Sequence, residues 1–297
     1  MAWTISALAL FVYLVGTRSG VLLAGVAWTR RRPALAVASW AALVTAFLFV
    51  LSLLTLMLLA WPSGPVHAWI EHFHDCVPGH THTGEIVAIA VVVLVSALLL
   101  RVSYRGLARA GKTYAGRRRH HLSVMLVATY PEQPRDVCLI DHPAPVVYCL
   151  PRRRRPIVMT TGALAELSPA QAEAVLAHER THLRHHHHGL LAVVDALRVA
   201  FPWATTIAQA QSELSELIEL AADDAAALRC GPAPVIDALR QLTPSPLGPE
   251  PGTGLEQRIA RLEGRAASRN SPPRAALALL GTACGVLVTA VAVQLSC

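Results

Sequence analysis

Residues 34–61 run to Trp61 without a single charged side chain. A stretch of that length covers the roughly 20 residues that a helix needs to cross a bilayer. Two more apolar runs lie at 86–100 and 275–296, and a further one, interrupted by Arg18, fills the first 28 residues. The whole chain is 54% hydrophobic, too apolar for an ordinary soluble protein. The pattern predicts transmembrane helices at about 3–26, 34–61 and 85–104 and a fourth over 275–297, with Arg18 snorkelling or facing other helices.

Orientation follows from where the arginines stand. Arg30, Arg31 and Arg32 follow the first run, and Arg101, Arg105, Arg109, Lys112 and Arg117 to Arg119 follow the third, while residues 62–85 hold no Lys or Arg. By the positive-inside rule the first and third connections face the cytoplasm. Loop 62–84, the N-terminus and the C-terminus then lie outside. The formal net charge of +7 is mostly topology, and nucleic-acid binding is not expected from it. Residues 106–122 are expected along the inner membrane surface, where anionic lipids favour them. Cys76 and Cys297 both fall outside, where disulfides persist, and are candidate partners for one bridge.

Between the third and fourth runs lies enough chain for one globular domain, taken as residues 105–274. Residues 137–141 and 145–150 are strand-like and read as a hairpin joined at Asp141-His142-Pro143-Ala144. A third strand is expected at 157–160, turned by Thr161-Gly162. Arg152 to Arg155 read as a solvated loop. Ser168, Pro169 and Gln171 form an N-cap, a first-turn proline and a capping box, so a helix starts there and runs to about His186. Further helices are expected at 190–203, 211–229 and 255–266, with a Pro- and Gly-rich loop at 244–254.

The helix that begins at Ser168 carries His178-Glu179-Arg180-Thr181-His182. Residues four apart share one helix face, so His178 and His182 can grip one metal ion. Glu179 then lies beside the water that such an ion would hold. Two imidazoles, a zinc ion and a carboxylate base are the parts of a zinc hydrolase. A third ligand is required. Glu219 and Asp223 stand four apart on an acidic helix, so one can bind metal while the other orients a ligand imidazole. His188 is a second candidate by spacing from His178. The glycine needed to turn the chain toward it would stand at 185, however, and position 185 is His. His185 to His188 are therefore read as a solvated run.

These segments together resemble a known family. Asp141-His-Pro-Ala-Pro, Ile157-Val-Met-Thr-Thr-Gly-Ala-Leu, Ala174-Val-Leu-Ala-His-Glu-Arg-Thr-His-Leu-Arg and Glu219-Leu-Ala-Ala-Asp-Asp-Ala-Ala are similar to the BlaR/MecR-type antirepressor metallopeptidases, in the form without the external penicillin-binding sensor. HtpX and the CAAX prenyl peptidases are related. The resemblance implies a multi-pass α-helical membrane protein of four transmembrane helices with a cytosolic α+β zincin-like metallopeptidase domain. It implies Zn²⁺ bound by His178, His182 and Glu219, with Glu179 as general base and acid and Asp223 as orienting residue. It also implies a cytosolic protein substrate at the plasma membrane, a DNA-binding repressor or the chain itself. Only about 24 residues stand where a sensor domain would be, so β-lactam sensing is not expected. Two other functions compete. One is a broad-specificity membrane quality-control peptidase. The other is a non-enzymatic metal sensor built on His67, His72, His74, Cys76, His80 and His82 of the external loop, a set rich in borderline and soft ligands.

Overall fold

The computed structural model describes residues 2–60, 83–132, 134–150, 156–242 and 254–267. Residues 62–82 with their histidines, the Arg152–Arg155 run, the 244–253 part of the Pro- and Gly-rich loop, the fourth apolar run and the proposed Cys76–Cys297 pair all lie outside the described residues.

The N-terminal third is helical: α1 (Ala2–Thr17), α2 (Ser19–Ala24), α3 (Trp28–Arg31), α4 (Pro33–Ala60) and α5 (Thr83–Val127). The sequence predicts one helix over 3–26, and the chain instead breaks at Arg18. The break has a local cause. Thr206 presents its hydroxyl to the amide of Gly20 at 3.2 Å, an external partner where an uninterrupted helix would use its own carbonyl. Among the described residues, one helix is long and apolar enough to cross a membrane, the Pro33–Met57 part of α4. The 45 residues of α5 form a single rod about 68 Å long. The expected third span and the basic segment after it therefore lie on one continuous helix.

A three-stranded sheet follows, with β1 (Val137–Ile140), β2 (Val147–Cys149) and β3 (Ile157–Thr160) in the order β1-β3-β2. The expected hairpin between 137–141 and 145–150 does not form. β3 lies between the two, parallel to β1 with Val137 opposite Ile157 and antiparallel to β2 with Cys149 opposite Ile157. All four residues of β3 are buried. A central strand must be covered on both faces, as β3 is, but Val137-Cys138-Leu139-Ile140 of β1 is equally unalternating, so the strand order is set by the packing of the sheet. Thr161-Gly162 is not a turn either. It opens α6 (Thr161–Glu166), capped by the Thr160 hydroxyl, which accepts the Ala163 amide. A Cβ at Gly162 would collide with the Pro143 carbonyl, so this position admits only glycine where the two loops meet.

The remaining elements are α7 (Pro169–Arg184), α8 (His187–Ala200), α9 (Thr205–Cys230), α10 (Pro232–Gln241) and α11 (Gly254–Ala267). The α7 capping box is complete: the Ser168 hydroxyl takes the Gln171 amide, and the Gln171 side chain takes the Ser168 amide. Helix α7 is the centre of the domain. One face, with Val175, packs on Val137, Ile157 and Met159 of the sheet. The opposite face, with Ala174 and Ala177, packs on Ala226, Val235 and Leu262. Small residues there let α9 approach closely. The first half of α9 is covered by the N-terminal helices: Ile207, Ala210, Leu214 and Leu217 share one core with Ala36, Trp40, Val44 and Phe47 of α4. Leu214 and Leu217 are completely buried, and each such burial stabilises by about 1.5–3 kcal/mol. The same helix carries Glu219 and Asp223 one turn further on, so this core fixes where those carboxylates stand.

Candidate metal centre

Helix α7 projects His178 and His182 from one face, as the spacing of four requires. Their ring centroids are 4.7 Å apart and their Nε2 atoms 2.9 Å apart. Glu219 of α9 closes the triangle, with carboxylate oxygens 3.5 Å from each Nε2. All three ligand atoms lie within 4.8 Å of one another. Donors held about 2.0–2.1 Å from a tetrahedral zinc ion stand about 3.3 Å apart. The two Nε2 atoms are 2.9 Å apart and each lies 3.5 Å from a different oxygen of Glu219, so the three side chains converge closely enough to share one zinc ion after small side-chain adjustments. Glu219 keeps 37% of its side-chain surface exposed, against 14% and 7% for the histidines. The centre is open on its Glu219 side.

Each histidine is held from behind. His178 Nδ1 donates to Asp223 at 3.1 Å. Asp223 is itself gripped by Arg258 of α11 through two bonds of 2.7 Å, and a third arm of Arg258 lies 3.2 Å from Glu219. One guanidinium thus fixes both carboxylates. Asp223 is 1% exposed and Arg258 19%, so removing either partner strands a buried charge. Arg258→Met is expected to cost about 3–5 kcal/mol of stability, read as a fall in the thermal unfolding midpoint, with zinc affinity weakened as well.

His182 is held by a residue that the sequence left in solvent. Helix α7 ends at Arg184, and His186 turns the chain with φ 53°. This is the left-handed region, which histidine enters more readily than most residues. His185 and His186 stay exposed, but the turn sends His187 inward, 4% exposed, with Nδ1 3.1 Å from His182 Nδ1. His188 is also drawn in, its Nε2 3.1 Å from the Cys149 sulfur. The reading of 185–188 as a solvated run is corrected for these two residues. Burial keeps His187 neutral, pushing it down to about 4. With His182 Nε2 turned to the metal position, its Nδ1 carries the hydrogen and His187 accepts it. Partners of this kind are worth about 10–100-fold in metal affinity. His187→Ala is expected to weaken zinc binding by that factor in a chelator competition, and His187→Gln, which keeps an acceptor, to restore most of it.

The electrostatics draw positive charge to this point. Burial works against a charged His178, but its hydrogen bonds to Asp223 and Glu219 outweigh that and lift it to about 10. Burial pushes His182 down to about 3, aided by the neighbouring His178 charge. Burial alone would raise Glu219, yet the His178 hydrogen bond and the charges of His178 and Arg258 hold it well below the usual carboxylate range. Glu179 shifts the other way. Burial pushes its carboxyl up, against the opposing effect of His178. A carboxyl raised toward neutrality suits a group that both accepts and returns a proton. Hydrogen bonding from Cys149, at the end of β2, works with His178 against that rise. Salt bridges of 2.6 and 2.9 Å from Arg180 to Asp136 tie the same helix turn to the start of β1.

Arg258, His187 and Cys149 escaped the sequence reading. No local pattern marks Arg258 or Cys149, which reach the site from distant elements. His187 carried a signal, a fourfold histidine run directly after the motif, but its direction depends on one backbone angle.

The model of peptidase family M48 matches residues 113–266, just over half of the chain, from the basic part of α5 through α11. No curated protein and no solved structure matches it.

Proposed function

The chain belongs to peptidase family M48, a family of zinc metallopeptidases, and on that premise we propose that it is a membrane-anchored zinc metalloendopeptidase acting on a cytosolic protein. The observation that carries the proposal is the triangle of His178, His182 and Glu219 with the half-buried carboxyl of Glu179 next to it. His178, His182 and Glu219 would hold the ion, and Asp223, Arg258 and His187 would keep their donor atoms aimed at it. Zinc, when bound, supplies an acidified water and a polarised substrate carbonyl. Glu179 would accept a proton from the attacking water and return it to the amine that leaves. Strand β2 is an edge of the sheet, a place where an extended substrate can align by strand addition.

Membrane anchoring is supported by the apolar Pro33–Met57 helix and by the further apolar runs of the sequence. The arginine distribution supports a cytoplasmic peptidase domain at the plasma membrane. Similarity to BlaR/MecR-type antirepressors in the four motifs favours a narrow substrate, a transcriptional repressor or the chain itself, within a signalling pathway. Comparison of protein N-termini in cells carrying the wild type and Glu179→Gln tests this. One or a few new N-termini that depend on Glu179 are expected. A broad set would turn the proposal into a quality-control peptidase, and none at all would remove it.

A further inference from the structure

We infer that lipid begins at the level of the turn Phe201–Ala204, so that Pro33–Phe47 belongs to the catalytic unit and only the part of α4 beyond Phe47 is embedded, about 20 Å of helix to Ala60, which is less than the depth of a bilayer. This rests on the membrane-anchored reading and fixes where the anchor starts.

The turn joins α8 to α9, and three apolar helices pass it at one height. A Cβ on Gly16 of α1 would lie 2.9 Å from the Trp203 ring. Phe47 of α4 packs edge-on against Phe201 and Trp203, with centroids 5.8 and 5.9 Å apart. A Cβ on Gly106 of α5 would lie 3.6 Å from Ala200. Thr205 donates to the Thr17 carbonyl and Thr206 to that of Val15, so the backbone at the end of α1 is satisfied by protein here.

Charge changes at this height. Below it, residues 2–17, 48–60 and 86–100 contain no charged side chain. At and just above it stand Arg18, Arg105, Arg198 and the Arg109–Asp195 pair at 2.5 Å, and Arg101, exposed on α5 about 8 Å below it, is near enough to reach the headgroups by snorkelling. Exposed aromatics ring the same level: Tyr13 at 58%, Tyr104 at 71% and Trp203 at 45%, as in the aromatic belt of a membrane boundary. If lipid began at Pro33 instead, the turn would sit about 21 Å deep. Arg18, Arg198 and the Arg109–Asp195 pair would then be in hydrocarbon, where charged groups are rare and costly. The outward face of α4 agrees. Before Phe47 it shows mainly Ala38, Ala42 and Thr45, with Leu35 the one large exception, and after it come Phe49 and Leu56 at 60% and 63% exposure.

The consequence concerns substrate. Glu219 stands fourteen residues along α9 from Thr205, about 21 Å above the boundary. Arg30, in ion pairs with Glu213 and Glu216, lies in the aqueous domain with it and not at the headgroups. The scissile bond is therefore in water. A membrane-tethered substrate must offer an extended stretch of about six residues between its anchor and the cut.

The test is cysteine accessibility on the full chain in phospholipid nanodiscs. Ala38→Cys, Ala42→Cys, Phe49→Cys and Leu56→Cys are treated with a water-soluble maleimide, and peptide mapping separates them from the native cysteines. Zinc content equal to wild type certifies the fold of each variant. Positions 38 and 42 are expected to label at least tenfold faster than 49 and 56. Equal protection of all four would place lipid at Pro33 and overturn the inference while leaving the anchor. Fast labelling of all four would overturn the anchored reading itself, and any order in which 38 and 42 are not the faster pair overturns the boundary.

Discussion

Glu179→Gln is expected to lower the cleavage rate by about 10²–10⁴-fold, the usual worth of a positioned general acid–base group, while zinc content stays unchanged. The two halves of that result come from different parts of the geometry. The amide cannot take a proton from water, so chemistry stops. The three side chains that converge on the metal position are His178, His182 and Glu219, and Glu179 is not among them, so binding persists. Gln also preserves the volume beside Cys149 and removes a half-buried carboxyl whose charge burial disfavours, so stability should be equal or slightly higher. A variant that still cleaves a defined substrate at the wild-type rate would end the proposed role of Glu179.

Glu219→Ala should weaken zinc binding by more than the roughly 10–100-fold typical of outer partners, because a donor atom itself is lost. It also deprives Arg258 of one of its two carboxylates. His188→Ala is the informative control. His188 bonds Cys149 and not the ligand triangle, so its loss should leave zinc affinity within a few-fold of wild type. Metal analysis of both purified variants decides between them. The reverse order would make the histidine run the true source of the third ligand.

What the sequence showed and what it hid divide along a physical line. Local chemistry was legible. Ser168, Pro169 and Gln171 announce the start of α7, and the spacing of four places His178 and His182 on one face, as it does Glu219 and Asp223. Features set by distant packing were not. Strand β3 displaces the expected hairpin by pairing with both β1 and β2, a choice made by the whole sheet. Arg258 reaches Asp223 across 35 residues of sequence, and its identity as an arginine on a short amphipathic helix says nothing of its partner. His187 depends on His186 entering a left-handed conformation that glycine would have advertised. Helix α4 reads in sequence as one uniform apolar run, yet its first half covers Ile207, Leu214 and Leu217. Hydropathy counts apolar surface and cannot tell whether protein or lipid covers it.

X-ray absorption at the zinc edge of the purified full-length protein tests the central claim most directly. A zinc ion bound only to nitrogen and oxygen at about 2.0–2.1 Å, with the scattering of two imidazoles, is the expected result. A sulfur neighbour at about 2.3 Å would mean that Cys149 has entered the coordination sphere, and failure to retain zinc would mean that the triangle of His178, His182 and Glu219 is not a metal centre; either would contradict the account.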